Sequence, residues 1–307
     1  MKMNKWTMAL AAAGVVSLSS VAQAQEAAAG ANALAASSTL SGYVSTSYTV
    51  DNTSADDGTS LDVVDLKFAS AQGAGEYATG YTVELWAGPH GLDTGNNQNS
   101  GAIGTQAGIS TADHTALLLA DGIPSHSHTV GTSNNTVELY QANIDLRLPL
   151  GSGLNLKVGQ FTTVVGAETS NYNENAFHTR SRAFNADQPT HHTGVLASYQ
   201  LSDDASLSVG FVNDTKLDTT NADAGGTAFL VSLSYTLPDS TGFLGGTELT
   251  YARVDGAGAD GSEQDNQYVG ASIPLPVEGL TYSLAWDNVE YETGADTTLL
   301  GHYLSYA

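Results

Sequence analysis

From residue 38 onward, apolar and polar residues alternate with a period of two, which is the period of a β-strand that has one apolar face. Between Val231 and Leu237, for example, every second residue is apolar, and serine or threonine occupies each position between. The pattern predicts about twelve strands, each of the roughly 9–11 residues or a little more that a tilted membrane strand needs. The predicted strands lie near 38–50, 60–71, 77–88, 136–149, 152–165, 191–201, 204–214, 226–238, 243–255, 265–275, 279–291 and 297–307.

The fourth predicted strand assigns its side chains to two opposite faces. One face carries Tyr140, Ala142, Ile144, Leu146 and Leu148, and the other carries Gln141, Asn143, Asp145 and Arg147. A soluble β-sandwich also alternates in this way, so the alternation alone leaves the fold class open.

The lengths of the connections indicate which all-β fold this is. Every second connection is short, and the connections between are longer and acidic. Such an order is typical of an outer-membrane barrel. We therefore predict a single transmembrane, antiparallel, up-and-down β-barrel of about twelve strands, with short periplasmic turns and long acidic extracellular loops. The short connections include 72–76, 238–242 and 276–279, and the long ones include 51–59, 89–135, 166–190, 215–225 and 256–264.

Aromatic residues near the predicted strand ends fit the girdles that mark the two membrane interfaces of a barrel. The girdle candidates are Tyr43, Tyr48, Trp86, Tyr199, Tyr251, Trp286 and Tyr303.

The first 24 residues predict a cleaved signal peptide, because Lys2 and Lys5 precede an apolar core and Ala22-Gln23-Ala24 has the form of a cleavage site. Residues 25–37 then form a predicted periplasmic lead-in, and residues 38–307 form the predicted barrel domain. Export to the outer membrane of a Gram-negative cell follows from the two predictions together.

Composition narrows the possible partners. Without Lys2 and Lys5 the chain has seven Lys and Arg residues against 32 Asp and Glu. Such an acidic chain repels phosphate backbones, so we expect no nucleic-acid partner. The chain has no cysteine, which excludes disulfides and thiolate metal sites.

A barrel of twelve strands has room for a water-filled channel. Strand spacing and tilt give a backbone diameter of about 24 Å and, inside the side chains, a lumen about one nanometre wide. The inward positions are rich in Ser, Thr, Gly, Asn and Gln, which favours a pore for small hydrophilic solutes and ions over an apolar ligand cavity. The excess of acidic residues predicts a preference for cations.

Basic residues concentrate where the fifth strand leads into the long connection 166–190. Arg147, Lys157, Arg180 and Arg182 lie within 36 residues of one another. If that connection folds inward, it could bring Arg180 and Arg182 to the arc of the wall that carries Arg147 and Lys157, and so form a constriction with a transverse field. Alternatively, Arg180 and Arg182 pair with Glu168 and Glu174 and only fasten the loop.

The same region resembles a known family. The runs GQFTTVVGAE (159–168), SRAFN (181–185) and HTGVLASYQL (192–201) are similar to those of the OmpL-like β-barrel porin-2 family. The resemblance implies an outer-membrane barrel porin without a catalytic role. It identifies as signature residues Gly159, Phe161, Gly166, Glu168, Arg182, Thr193 and Gly194.

Other chemistry has weaker support. His126-x-His128 and His191-His192 lack a third metal ligand at a recognised spacing, and the acidic loops 51–57 and 255–265 indicate at most weak, nonspecific Ca²⁺ binding. We therefore predict no cofactor. His178 and Ser181 are the residues that a hydrolase would use as base and nucleophile, but no motif supports that function.

Three classes of function remain: a diffusion porin, a structural or adhesive barrel plugged by residues 89–135, and an outer-membrane hydrolase. The first is favoured. Its expected partners are outer-membrane lipid, the permeating solutes and ions, and the barrel assembly machinery, which recognises a C-terminal aromatic residue. Tyr306 fills that place, unless the sequence stops short of its natural end.

Overall fold

The computed structural model describes residues 14–15, 37–49, 58–88, 137–175, 177–186, 188–215, 226–258, 262–292 and 294–306. Twelve long strands in these residues pair in sequence order, each antiparallel to the next. They are β1 (Ser38–Thr49), β2 (Gly58–Ser70), β3 (Thr79–Ala87), β4 (Val137–Leu148), β5 (Leu154–Thr162), β6 (His191–Ser202), β7 (Ala205–Val212), β8 (Ala228–Thr236), β9 (Glu248–Ala257), β10 (Glu263–Pro274), β11 (Leu280–Tyr291) and β12 (Thr297–Tyr306).

This architecture confirms the predicted all-β, up-and-down fold with twelve strands. The largest difference in bounds is at β9, which begins at Glu248 rather than near residue 243. Its start is delayed because Asp239–Leu244 form a 3₁₀ turn in place of extended chain. The one α-helix of the described strand connections is short: Arg182–Ala186, here α1. No helix in the described residues is long and apolar enough to cross a membrane.

We call the end with connections 71–78, 149–153, 203–204, 237–247 and 275–279 the short-turn end, and the opposite end, which has the longest connections, the long-connection end. The predicted alternation in length holds from β2 to β8. It fails outside that part, because the 3₁₀ turn Asp239–Leu244 makes 237–247 longer than 258–262, and because 50–57 is only as long as 71–78. At the short-turn end, the turn between β4 and β5 is tight enough to need glycine. Gly151 has a φ of 58°, and a Cβ there would also collide with the Tyr199 hydroxyl.

The outward face of the sheet is an exposed apolar band. Large side chains on that face alternate with inward residues on nearly every strand, and they are more than a third exposed. So much exposed apolar surface is unfavourable in water but suits the hydrocarbon core of a bilayer. The band includes Val44, Leu66, Phe68, Ile144, Val158, Val195, Phe211, Phe229, Leu233, Val269, Leu300 and Leu304.

The inward face has two tiers. Toward the long-connection end it is apolar and buried, and its largest cluster includes Phe161, Leu230, Val254 and Tyr268. Toward the short-turn end it is polar, with serine pairs facing each other across neighbouring strands, as in Ser198 with Ser208 at 2.8 Å and Ser272 with Ser283 at 3.2 Å. Something must therefore cover the apolar tier, while the polar tier tolerates water.

Two β-bulges turn residues inward that simple alternation would misplace. The register shifts between Glu84 and Leu85, so Tyr140 on β4 points inward and stacks on Trp86 with ring centroids 3.9 Å apart. The prediction that Tyr140 shares a face with Ile144 is therefore wrong. A second shift between Ser45 and Thr46 makes Asp62 the extra residue on β2, and its side chain is fully buried.

The aromatic girdle prediction is correct only in part. Tyr48 and Tyr251 are exposed on the outward face. Trp286 pairs with the outward residues Val269 and Leu300. Tyr43, Trp86 and Tyr303 instead belong to the interior, where they pack in or against the two buried clusters.

The two ends of the sheet approach the same interior segment. Among the described residues no ladder joins β1 to β12, and the two-residue strand Gly14–Val15, which lies in the predicted signal peptide, pairs with Val44 and Tyr43 on the free edge of β1. Tyr43 of β1 nevertheless contacts the chain that follows β5, and α1 lies against β12. The sheet must curve around that segment to allow both contacts.

The two tryptophans of the strands test this orientation. In lipid bilayers containing brominated acyl chains, we expect the Trp86→Phe variant, which reports Trp286, to lose most of its fluorescence because Trp286 faces lipid. The Trp286→Phe variant, which reports Trp86, should lose little. Equal quenching of both would contradict the assignment of inward and outward faces.

The last strand should be indispensable, because an unpaired sheet edge cannot be satisfied in hydrocarbon. Deletion of residues 297–307 should abolish the folded, heat-modifiable form on gels. Deletion of residues 89–135, which lie between β3 and β4, removes more chain but none of the twelve described strands and should leave that form intact. A folded barrel from the first deletion would contradict the proposed closure.

Candidate functional site

The chain between β5 and β6, residues 163–190, folds into the space that the sheet encloses; we call it the inner segment. On one side, the Tyr172 backbone N–H donates to the Tyr43 hydroxyl at 3.1 Å, and the Tyr172 ring lies 6.4 Å from that of Trp86. On the other side, Val165 joins the apolar cluster of β5–β11, and α1 contacts β12. The inner segment therefore covers the apolar tier from within.

Hydrogen bonds within the inner segment hold it in one compact shape. Both carboxylate oxygens of Glu168 accept the Ser181 backbone N–H, at 2.9 and 3.2 Å. The Gln188 amide donates to the Glu168 carbonyl, and the Asn175 amide donates to the Thr169 carbonyl at 2.6 Å. Because these bonds join the beginning of the segment to its middle and end, it meets the wall as a preformed unit.

The Arg180 side chain holds the inner segment together by bonding to backbone carbonyls of the same segment. Its guanidinium donates to the carbonyls of Thr169 (3.1 Å) and Ser170 and lies 4.1 Å from the centroid of the Tyr172 ring. Arg182 begins α1 and is exposed.

The expected pairing of these arginines with Glu168 and Glu174 does not occur. Glu168 is occupied by the Ser181 N–H, and Glu174 accepts from Thr169 and Asn171 instead. For Arg180, backbone carbonyls and aromatic rings therefore take the place of the carboxylate partner.

Arg147 and Lys157 lie on the same inward arc of β4 and β5, but far from Arg180. Arg180 lies against Tyr172, which contacts Tyr43 on β1. Cross-strand pairing from Tyr43 leads through β2 and β3 to Glu138, near the start of β4, whereas Arg147 is near the end of that strand. There Arg147 donates to the Ser152 carbonyl at 2.6 Å and to Asn155 at 3.2 Å. The structure thus separates the four basic residues into two groups near opposite ends of the barrel.

A chain of polar side chains crosses the wall from β2 to β5. Lys67 Nζ lies 3.2 Å from Glu84, and Gln141 donates to the same carboxylate at 2.7 Å. Lys157 Nζ continues the chain, with Asn143 at 3.1 Å and Asp145 at 2.8 Å. The link between the two halves is the Asn143 amide, which donates to Gln141 at 3.3 Å.

Lys67 and Glu84 were not among the residues that the sequence indicated. A signal was present, since Glu84 is the single carboxylate in the strand TGYTVELWA and Lys67 is one of few basic residues in the chain. A charge inside a membrane strand almost always faces the interior of the protein or a water-filled cavity.

The remaining predicted residues have structural partners. His191 and His192 are both buried: His191 packs edge-on against Tyr140, and His192 contacts the Thr163 hydroxyl at 2.9 Å. His178 lies beside Asp62, and the Ser181 hydroxyl accepts the Phe184 N–H, so the two engage different neighbours. No group of three His, Asp or Glu side chains suited to a metal ion occurs in the described residues. His126, His128 and loop 51–57 lie outside those residues.

Most of the family signature residues lie where the inner segment leaves β5 and returns to β6. Gly159 on β5 pairs directly with Gly194 on β6. A Cβ at Gly159 would collide with a backbone carbonyl of β4, and a Cβ at Gly194 would collide with one of β7. Gly166, where the segment turns inward, has a φ of 108° that favours glycine. Thr193 pairs with Gln160, and the Phe161 side chain is buried under the segment.

These features define a twelve-stranded β-barrel whose longest described connection folds inside. The model of the family described as "Putative beta-barrel porin-2, OmpL-like" matches residues 37–273, and the chain belongs to this family. The resemblance seen in the sequence is thereby confirmed.

Two further comparisons add little. A solved structure with similarity, Acinetobacter baumannii OccAB4, is 12% identical with a TM-score of 0.35, over 85% of this chain and 69% of that chain. A likeness of that size supports no argument about this chain. No curated protein matches it.

The Lys67–Glu84 pair provides a test of the polar wall. The Glu84 side chain is fully buried, so the Lys67→Met variant leaves a buried carboxylate without its cation and should lose about 1–3 kcal/mol of unfolding free energy. The matched variant Lys157→Met should lose less, because the side chain of its partner Asp145 is 24% exposed. Urea unfolding of the refolded barrel in detergent measures both. A larger loss for Lys157→Met would contradict this reading of the wall.

Proposed function

We propose that the protein is an outer-membrane porin that allows passive diffusion of small hydrophilic solutes and ions. Membership of a barrel porin family supports a pore, and the predicted signal peptide supports export. The outward apolar band suits a bilayer, and the polar tier suits water and ions.

One observation carries the proposal: the inner segment lies inside the barrel and divides the interior into two unlike parts. It packs against β1–β3 through Tyr172 and against β12 through α1. The inner segment leaves uncovered the polar side chains that run from Lys67 on β2 to Lys157 on β5. Charges there are partly exposed, because the Lys67 and Lys157 side chains are each 33% exposed. Solutes would pass along this wall, and the inner segment would set the width of the passage.

We further propose that the pore prefers cations. The chain carries 32 Asp and Glu residues, and of its nine Lys and Arg residues two lie in the predicted signal peptide. Lys157 pairs with Asp145 and Lys67 with Glu84, which leaves Arg147, whose partners Ser152 and Asn155 are uncharged, as the basic residue of the described wall without an acidic partner. A negative mouth concentrates cations at low ionic strength, and salt screens the effect.

Conductance in a planar bilayer tests the pore directly. The full mature chain should conduct, and replacing residues 168–186 with a short Gly-Ser linker should increase the single-channel conductance, because the linker cannot fill the lumen. If deletion of residues 89–135 produces the increase instead, the barrel is plugged by that connection. Absence of conductance in every variant would contradict the porin function.

Selectivity can be tested with a matched pair of arginines. Arg182→Gln removes an exposed positive charge from the inner segment and should make the reversal potential in a KCl gradient more cation-selective. Arg253→Gln removes the same charge from the outward face, where Arg253 contacts Asp265 at 2.8 Å, and should change the potential much less. Equal shifts for both would place Arg182 outside the conduction path.

A further inference from the structure

Asp62 is an unusual buried charge on the barrel wall. Its side chain has no exposed surface, and it is the extra residue of the bulge on β2. Three hydroxyls donate to its carboxylate: Ser47 at 2.7 Å, Ser45 at 2.9 Å and Ser60 at 3.3 Å. These hydroxyls provide hydrogen bonds but no positive charge, and a buried carboxylate is costly without a compensating cation.

The inner segment supplies the group that faces this carboxylate. His178 Nε2 lies 3.7 Å from Asp62 Oδ2, and the His178 side chain is 14% exposed. That separation is too long for a hydrogen bond but short enough for an ion pair when the imidazole is protonated. Because His178 belongs to the inner segment and Asp62 to the wall, the pair spans the boundary between them.

The other charged and titratable groups around His178 belong to the segment and to the adjacent wall. The Tyr172 ring packs 5.0 Å from the imidazole, and Arg180 lies against Tyr172. Tyr43 on β1 contacts Tyr172, and Asp65 and Glu84 lie further along the wall toward the short-turn end. Asp62 is the one of these groups that forms an ion pair with His178.

We propose that Asp62 and His178 form a proton-dependent latch that holds the inner segment against β1 and β2. This inference rests on the proposed porin function for its consequence, because the inner segment would narrow the pore. With a protonated imidazole, the latch joins a cation to the buried carboxylate. With a neutral imidazole the attraction is lost, while the contacts of Tyr172 with Tyr43 and Trp86 remain on that side of the segment. Acid therefore favours the docked segment, and mildly alkaline solution favours its release.

Trp86 reports docking without any need for conduction. It is 1% exposed and lies beside Tyr172, so release of the segment would open it to water. In the Trp286→Phe background, the refolded barrel in detergent should show weak acrylamide quenching of Trp86 at about pH 5.5 and stronger quenching at about pH 8. We expect the fraction of docked segment to change about fivefold or more, the scale of a typical coupling between sites.

Two histidine variants identify the responsible group. His178→Gln cannot be protonated and should abolish the pH response of Trp86 quenching, and Asp62→Asn should do the same. His302→Gln is the matched control, because His302 lies on the outward side of β12 against the Tyr282 hydroxyl, and it should keep the full response. The heat-modifiable gel shift checks that each variant is folded. A normal pH response in folded His178→Gln, or no response in the parent protein, would overturn the latch.

Bilayer recordings separate the latch from the pore. If the latch controls the passage, the single-channel conductance should rise between about pH 5.5 and about pH 8, and His178→Gln should remove the rise. If no variant conducts but Trp86 quenching still depends on His178, the latch stands and the porin function fails. If the barrel conducts but quenching ignores pH, the latch fails and the porin function stands.

Discussion

Every backbone N–H and C=O that enters hydrocarbon must find a partner within the protein, and this constraint shapes the whole molecule. A run of antiparallel strands meets it within the sheet if each strand pairs with the next, which is the order seen from β1 to β12, and the outer edges of β1 and β12 need partners as well. Curving the sheet then creates an interior, and the alternation of side chains sends apolar residues outward and leaves small and polar ones inside. The interior must then be filled, either by side chains and segments of the chain or by water.

The inner segment fills the part of the interior that water would not favour. The inward residues near the long-connection end are apolar and would otherwise be exposed. The segment covers them with Val165 and α1, while Glu168, Arg180 and Gln188 form hydrogen bonds with other groups of the segment. Because the segment is compact, we propose that a single contact with the wall, Asp62 with His178, affects the position of the whole segment.

Much of this architecture could be predicted from the sequence. Strand number, strand order and the alternation of short and long connections between β2 and β8 follow from the period of two and from turn residues, because both are local properties of the chain. The family and the region of the inner segment were also identifiable. Gly159 and Gly194 stand where the backbone of an adjacent strand leaves no room for a side chain, and Gly166 has a positive φ that favours glycine.

The site could be predicted less well, for physical reasons that particular residues show. Tyr140 and Asp62 face inward because of bulges, and a bulge depends on the partner strand rather than on the residue itself. Arg180 was recognised as unusual, but its partners are backbone carbonyls, which every sequence has and no pattern reveals. Lys67 and Glu84 lie 17 residues apart and meet only because β2 and β3 pair in that register.

The position of the inner segment is the central claim, and a cross-link tests it most directly. The chain has no cysteine, so a variant with Tyr43→Cys and Tyr172→Cys contains two thiols only. In the folded barrel, a short bifunctional thiol reagent should join them, because the Tyr172 backbone and the Tyr43 side chain are in contact. The cross-link should be absent after heat unfolding at low protein concentration. If both thiols react with a monofunctional maleimide in the folded barrel but do not cross-link, the segment lies outside the lumen and the account is wrong.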